Sequence, residues 1–194
     1  MELQHFNVKL FVKNSSDVDL EPLIPIFHSW IEGQVREELL LDVADYRHVP
    51  EGPGIALIGH EANYSVDNAG NRLGIRYNRK KELEGSNQDR LKQAMRAALT
   101  ACQLLEREPR LAGNLQFNGQ EIEVSINDRL LAPNTDETRQ AVEAELQILS
   151  RELFGDAKCE YRWSSASDPR KLFAISIKSA QPFETSALLS NLKP

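Results

Sequence analysis

Residues 39–81 read LLLDVADYRHVPEGPGIALIGHEANYSVDNAGNRLGIRYNRKK, and how this stretch divides into strands decides the fold. Leu39 to Tyr46 predicts a strand, nearly continuous in apolar residues at its start, as central strands are when buried on both faces. RHVPEGPG, 47–54, packs two prolines and two glycines into eight residues and reads as a turn-rich connection. Residues 54–67 then predict one long strand. DNAGN is a turn, and LGIRYNRK is a further strand that closes a hairpin on it.

Upstream, residues 6–13 alternate. Phe6, Val8, Leu10 and Val12 share one side, with Asn7, Lys9 and Lys13 opposite, which predicts a half-buried strand. A polar turn, 14–19, leads to a helix over 20–34, with Asp19 as its N-cap candidate. Pro22 and Pro25 fit only its first turn. Downstream, Leu91, Met95, Ala98, Leu99, Cys102 and Leu105 form one apolar stripe on a helix over 87–108. Asn118-Gly119 reads as a tight turn before a strand containing Ile122, Val124 and Ile126. Thr135 or Asn134 caps a helix over 136–154, and Gly155 stands just past its end. Strands follow over 158–164 and 172–179, separated by the loop 165–171, and the tail from Gln181 has weak helical character.

The elements repeat strand–helix–strand–strand in two halves, 1–110 and 111–194. The fold class is α+β. An antiparallel or mixed sheet of about seven strands has helices mainly on one face, built from two ferredoxin-like, split βαβ halves. No linker separates them, so 1–194 is expected to be a single compact domain.

The chain carries a formal charge of −6, which argues against general nucleic-acid binding. Cys102 and Cys159 form no CxxC pair, and Cys102 lies on a helical apolar stripe, as a reduced structural cysteine would. No signal-like start and no run of roughly 20 apolar residues is present. These absences set the expectation of a reducing, bacterial-type cytoplasmic protein without a membrane span.

No phosphate loop, nucleophile elbow or zinc-protease pattern occurs. Two clusters remain. His60 falls on an otherwise apolar face of the expected 54–67 strand and needs a partner. Asp42 interrupts LLLDV and is costly there unless paired. With His48 and Glu61 these residues outline an acid–base or metal site, although the set Asp42, Asp45, His48, His60 and Glu61 matches no established ligand spacing and no metal ligand is assigned. The second cluster is cationic. Arg76 and Arg79 supply charge for a phosphate or carboxylate, and Tyr46, Tyr64 and Tyr77 supply contact area.

Two functions follow. The first is a non-enzymatic binding or protein-interaction module using the 42–81 region, with a protein partner or small anionic ligand at Arg76, Arg79, Tyr64 and Tyr77. The second is a metal-dependent or acid–base enzyme around Asp42, His48 and His60, with Glu61 assisting. The sequence points to no cofactor. An edge strand pairing across a two-fold axis would make a homodimer.

Overall fold

The computed structural model describes residues 1–13, 18–163 and 170–192. Residues 14–17 of the turn expected over 14–19, and 165–169 of the loop expected over 165–171, lie outside the described residues. The elements run β1 (Phe6–Val12), α1 (Leu23–Glu32), β2 (Leu40–Tyr46), β3 (Gly54–Gly59), β4 (Ala62–Asp67) and β5 (Gly74–Arg79). They continue with α2 (Asn87–Glu106), β6 (Phe117–Ile126), α3 (Asp136–Phe154), β7 (Cys159–Trp163), β8 (Phe173–Ser179) and α4 (Thr185–Asn191).

The described strands form one antiparallel sheet in the order β2-β3-β4-β5-β1-β6-β8-β7. In each half a helix carries the chain from a central strand to an outer one running parallel to it. Antiparallel strands then fill the gap: β3 to β5 lie between β2 and β1, and β8 lies between β7 and β6. The two opening strands, β1 and β6, meet at the join.

The sheet has eight strands because the stretch 54–67 is two strands. His60 and Glu61 are the tip of a β3–β4 hairpin. Neither takes the left-handed conformation of the common two-residue hairpin turns. Neighbouring chain holds the tip instead: His60 N–H donates to Leu39 O at 2.8 Å, and Lys80 N–H donates to Glu61 O at 2.9 Å. The reversal changes the face of the side chains in the rest of that stretch. Ala56 and Ile58 face one side of the sheet, while Tyr64 and Val66 face the other.

Two further expectations are corrected. The 39–46 strand is an edge strand, with Leu39 and Leu41 exposed. Asn118-Gly119 makes no chain reversal; it lies inside β6, where the register shifts between Leu10 and Phe11 of β1.

The apolar core lies on one face of the sheet. Val8, Leu10, Ile55, Leu57, Tyr64, Tyr77, Ile122, Val124, Ile175 and Ile177 meet the helices there. The α2 stripe is wholly buried, and Ser86 and Asp89 close a capping box at its start. Thr135 caps α3. Helix α1 begins at Leu23, with Pro25 in its first turn and Asp19 accepting from Glu21 N–H just before it. The tail folds as α4 and packs on α2 and α3, burying Leu188 and Leu192. None of the described helices is long and apolar enough to cross a membrane.

Candidate functional site

The second face of the sheet carries no helix among the described residues, and its floor is polar. Register places its side chains in rows across the strands. One row runs Ile58, Asn63, Asn78, Asn7, Ser125 over β3, β4, β5, β1 and β6. The next runs Ala56, Ser65, Arg76, Lys9, Glu123, Ser176. Asp67 stands one row further along.

Lys9 and Asp67 are each 2% exposed and pair at 2.7 Å. Arg76 Nε reaches Asp67 at 3.3 Å, and its Nη2 lies 3.6 Å from Glu123. Asp67 also accepts from Ala69 N–H at 3.0 Å, which ties the floor to the β4–β5 turn. Burial pulls the Lys9 ammonium below its ordinary range, and the Asp67 carboxylate works against that pull. The charges of this floor are matched to one another.

The turn 47–53 overhangs the β2–β5 end of this face and encloses a cleft of about 560 Å³. Tyr46, Pro53, Ala56 and Ile58 form an apolar wall. Asn63, Ser65, Arg76 and Asn78 form the polar floor. Glu51 Oε2 accepts from Gly70 N–H at 2.7 Å, latching the overhang to the next turn. Further along the row, on β1 and β6, the buried Asn7 Oδ1 and Ser125 Oγ lack a hydrogen-bond partner and do not line the cleft.

The expected site residues disperse. Asp42 is exposed on the β2 edge and accepts its own chain's Val43 N–H, so it is not a buried carboxylate in need of a partner. His48 is exposed in the overhanging turn. Asp45, beside it, is pulled down to about 2 by Arg47. His60 is exposed at the hairpin tip and accepts from the Lys81 ammonium at 2.7 Å, not from a carboxylate. No hydrogen bond or ion pair joins any two of Asp42, His48 and His60. Among the described residues no three His, Cys, Asp or Glu side chains group as metal ligands.

Tyr64 and Tyr77 lie in the helix-covered core with rings 5.2 Å apart, so they offer no contact surface. Their hydroxyls instead meet Glu38 and Gln93, at 2.5 and 3.0 Å. Arg79 turns away from Arg76 and donates to Lys81 O at 2.7 Å. With Arg36, Arg96, Glu38 and Glu61 it lines a second hollow between α2 and the segment leading into β2.

Burial pushes the Tyr64, Tyr77 and Cys102 groups up. The unfolded chain releases these protons near their ordinary values and the folded chain holds them. That stability is complete below about pH 9 and is lost as pH rises past 10. Lys9 acts oppositely, but only up to its ordinary 10.5. Alkaline melts should therefore show stability falling above that value, with Tyr64 and Tyr77 ionising only as the fold opens. Phenolate absorbance at those two positions before unfolding, read in Tyr→Phe variants, would contradict the burial.

No family model, curated protein or solved structure matches this chain. The site therefore rests on its own geometry. The residues missed in the sequence are Asn7, Lys9, Asn63, Asp67, Asn78 and Ser125. Asn7 and Lys9 read as a wetted strand face. Only their position at the centre of eight strands turns that face into a floor.

Proposed function

We propose that this chain is a non-enzymatic binding module that takes its ligand on the helix-free face of β2–β5, within the 42–81 region. One observation carries the reading: a cleft with an apolar wall and a polar floor whose charges are already matched to one another. The β2 edge adds a place for a protein partner. Val35, Leu39, Leu41, Tyr46 and Val49 leave large apolar surface exposed along and around it. The homodimer expected from the sequence would use this same edge. Split βαβ connectivity in both halves supports the ferredoxin-like reading. Two free thiols, Cys102 buried and Cys159 half-buried, support a reducing, cytoplasmic setting.

A second reading keeps the anionic ligand but moves it. It places the ligand in the second hollow, where Arg36, Arg79 and Arg96 stand beside Glu38 and Glu61. Arg36 Nε is buried there without a hydrogen bond, 3.8 Å from Glu38.

One titration separates the two. Amide NMR of the labelled protein is followed with a cocktail of neutral polar fragments, then with inorganic phosphate. Shifts are expected at Asn63, Ser65, Arg76 and Asn78 with the fragments. Phosphate shifts confined to Arg36, Arg79 and Arg96 would favour the second reading. Fragment shifts that avoid the open face altogether would overturn the first.

A further inference from the structure

Resting on that binding-face reading, we infer that the cleft takes an uncharged planar heterocycle, held through an amide edge in which an N–H stands beside a C=O. Two observations carry this. The first is a hollow in the floor: Ala56 and Ser65 stand opposite one another on β3 and β4, and both line the cleft under the overhanging turn. The second is hydrogen-bonding capacity left open there. Ser65 is 7% exposed, yet its hydroxyl has no partner among the described residues. The half-buried Asn78 carboxamide, lining the same cleft from β5, has none either. Neither group is sealed as Asn7 Oδ1 and Ser125 Oγ are, so both open into the cleft. Most buried polar side chains find a protein partner, and these two are available to whatever enters.

The donor and acceptor inventory selects the ligand. Asn78 carries a donor and an acceptor on one planar group, so a donor beside an acceptor satisfies both at once. Asn63 Oδ1 accepts from Gly59 N–H at 3.3 Å, which leaves its Nδ2 as a donor. Ser65 serves as either. A phosphate or carboxylate brings acceptors only and would leave the Asn78 carbonyl unmet; an ammonium brings donors only. Charge agrees, because Lys9 and Arg76 are matched by Asp67 and Glu123.

Shape agrees with the chemistry. Ser65 pairs with Arg76 and Asn63 with Asn78, so Ser65 and Asn78 are diagonal neighbours on β4 and β5. Such positions lie roughly 7 Å apart, a gap that one ring with its edge groups bridges. Tyr46, Pro53 and Ile58 give the ring an apolar wall. A flat heterocycle lays a face on that wall and keeps its polarity at the edge, where Ser65, Asn63 and Asn78 stand. A saccharide carries hydroxyls around its ring and would press some of them on the wall.

The test uses the full chain and named probes. Uracil and 2-pyridone are titrated into labelled protein beside 1,3-dimethyluracil and 1-methyl-2-pyridone, which keep the ring and lose the N–H. Glucose is the non-planar neutral probe. At least one unmethylated heterocycle is expected to shift the amides of Ala56, Ser65 and Asn78, and its methylated form to bind at least tenfold more weakly. Ser65→Ala and Asn78→Leu should each weaken that binding about five- to tenfold. Both melting temperatures should stay level, because neither side chain gives up a hydrogen bond. Asn78→Leu serves alone if Ser65→Ala folds poorly.

Equal binding of a heterocycle and its methylated form, or binding unchanged in both variants, would overturn the inference. Shifts at these residues from glucose or the neutral fragments, with none from uracil or 2-pyridone, would overturn the heterocycle and leave the binding face standing. No shift on the open face from any probe would end both.

Discussion

Asp67→Ala is expected to destabilise the fold by about 3–5 kcal/mol, the usual cost of removing one partner from a buried ion pair. Lys9 is 2% exposed on the sheet's central strand and meets the Asp67 carboxylate at 2.7 Å. Without that carboxylate the ammonium would stay buried with only the more distant Glu123 for compensation, and Arg76 would lose its nearer partner. Part of the loss is recoverable by deprotonation. Lys9 already sits below its ordinary 10.5, and the variant would push it lower. The unfolded chain then binds the proton more tightly than the folded one, so the variant should regain stability as pH rises toward 10.5. Urea denaturation across that range measures both effects. Lys9→Met on the Asp67→Ala background should restore much of the loss, since an apolar side chain of similar length leaves no buried charge. A single-variant loss under 1 kcal/mol would mean that Lys9 escapes to solvent and the floor is not held by this pair.

The same ion pair explains what could be read from the sequence and what could not. Helices α2 and α3 were legible because a 3.6-residue stripe must be buried on something, and both ends carry cap chemistry. Strand β1 was legible on its apolar side for the same kind of reason. Its polar side was not. Asn7 and Lys9 look like any solvated strand face until β5 and β6 are placed on either flank, and that placement depends on pairings 60 to 120 residues away in sequence. The β3–β4 hairpin failed differently. Its tip, His60-Glu61, has no turn-forming residue pair and is held by Leu39 and Lys80, which flank β2 and β5. One undetected reversal then put Tyr64 and Val66, with the β5 residues paired to them, on the opposite face from Ala56 and Ile58. His60 stands exposed at the tip and not on an apolar face, and Tyr64 and Tyr77 lie in the core.

Gly54→Ala is the other change with a large expected effect, and it acts on the overhang of the cleft. Gly54 ends the 47–53 turn with φ +62 and starts β3. A Cβ there would lie 2.1 Å from Val66 O. That oxygen belongs to the adjacent strand, and Ile55 pairs with Val66 in the next register position, so it has little freedom to move. Left-handed backbone costs an L-residue about 1–2 kcal/mol, and overpacking adds about 1–3, so a loss of about 2–5 kcal/mol is expected. Gly70→Ala is the matched control. Its φ is +66, but nothing lies within 4 Å of the new methyl, so only the conformational term of about 1–2 kcal/mol remains. Thermal melts of the two variants should therefore separate steric exclusion from backbone strain. The functional consequence follows from position. If β3 shifts away from Val66, the wall formed by Tyr46, Pro53 and Ala56 moves relative to a floor that Asp67 and Lys9 still hold. Ligand shifts at Asn63 and Ser65 should then weaken in Gly54→Ala under conditions where it remains folded, and persist in Gly70→Ala. Equal stability in the two variants would show that β3 can yield around the methyl, and that the overhang is looser than its contacts imply.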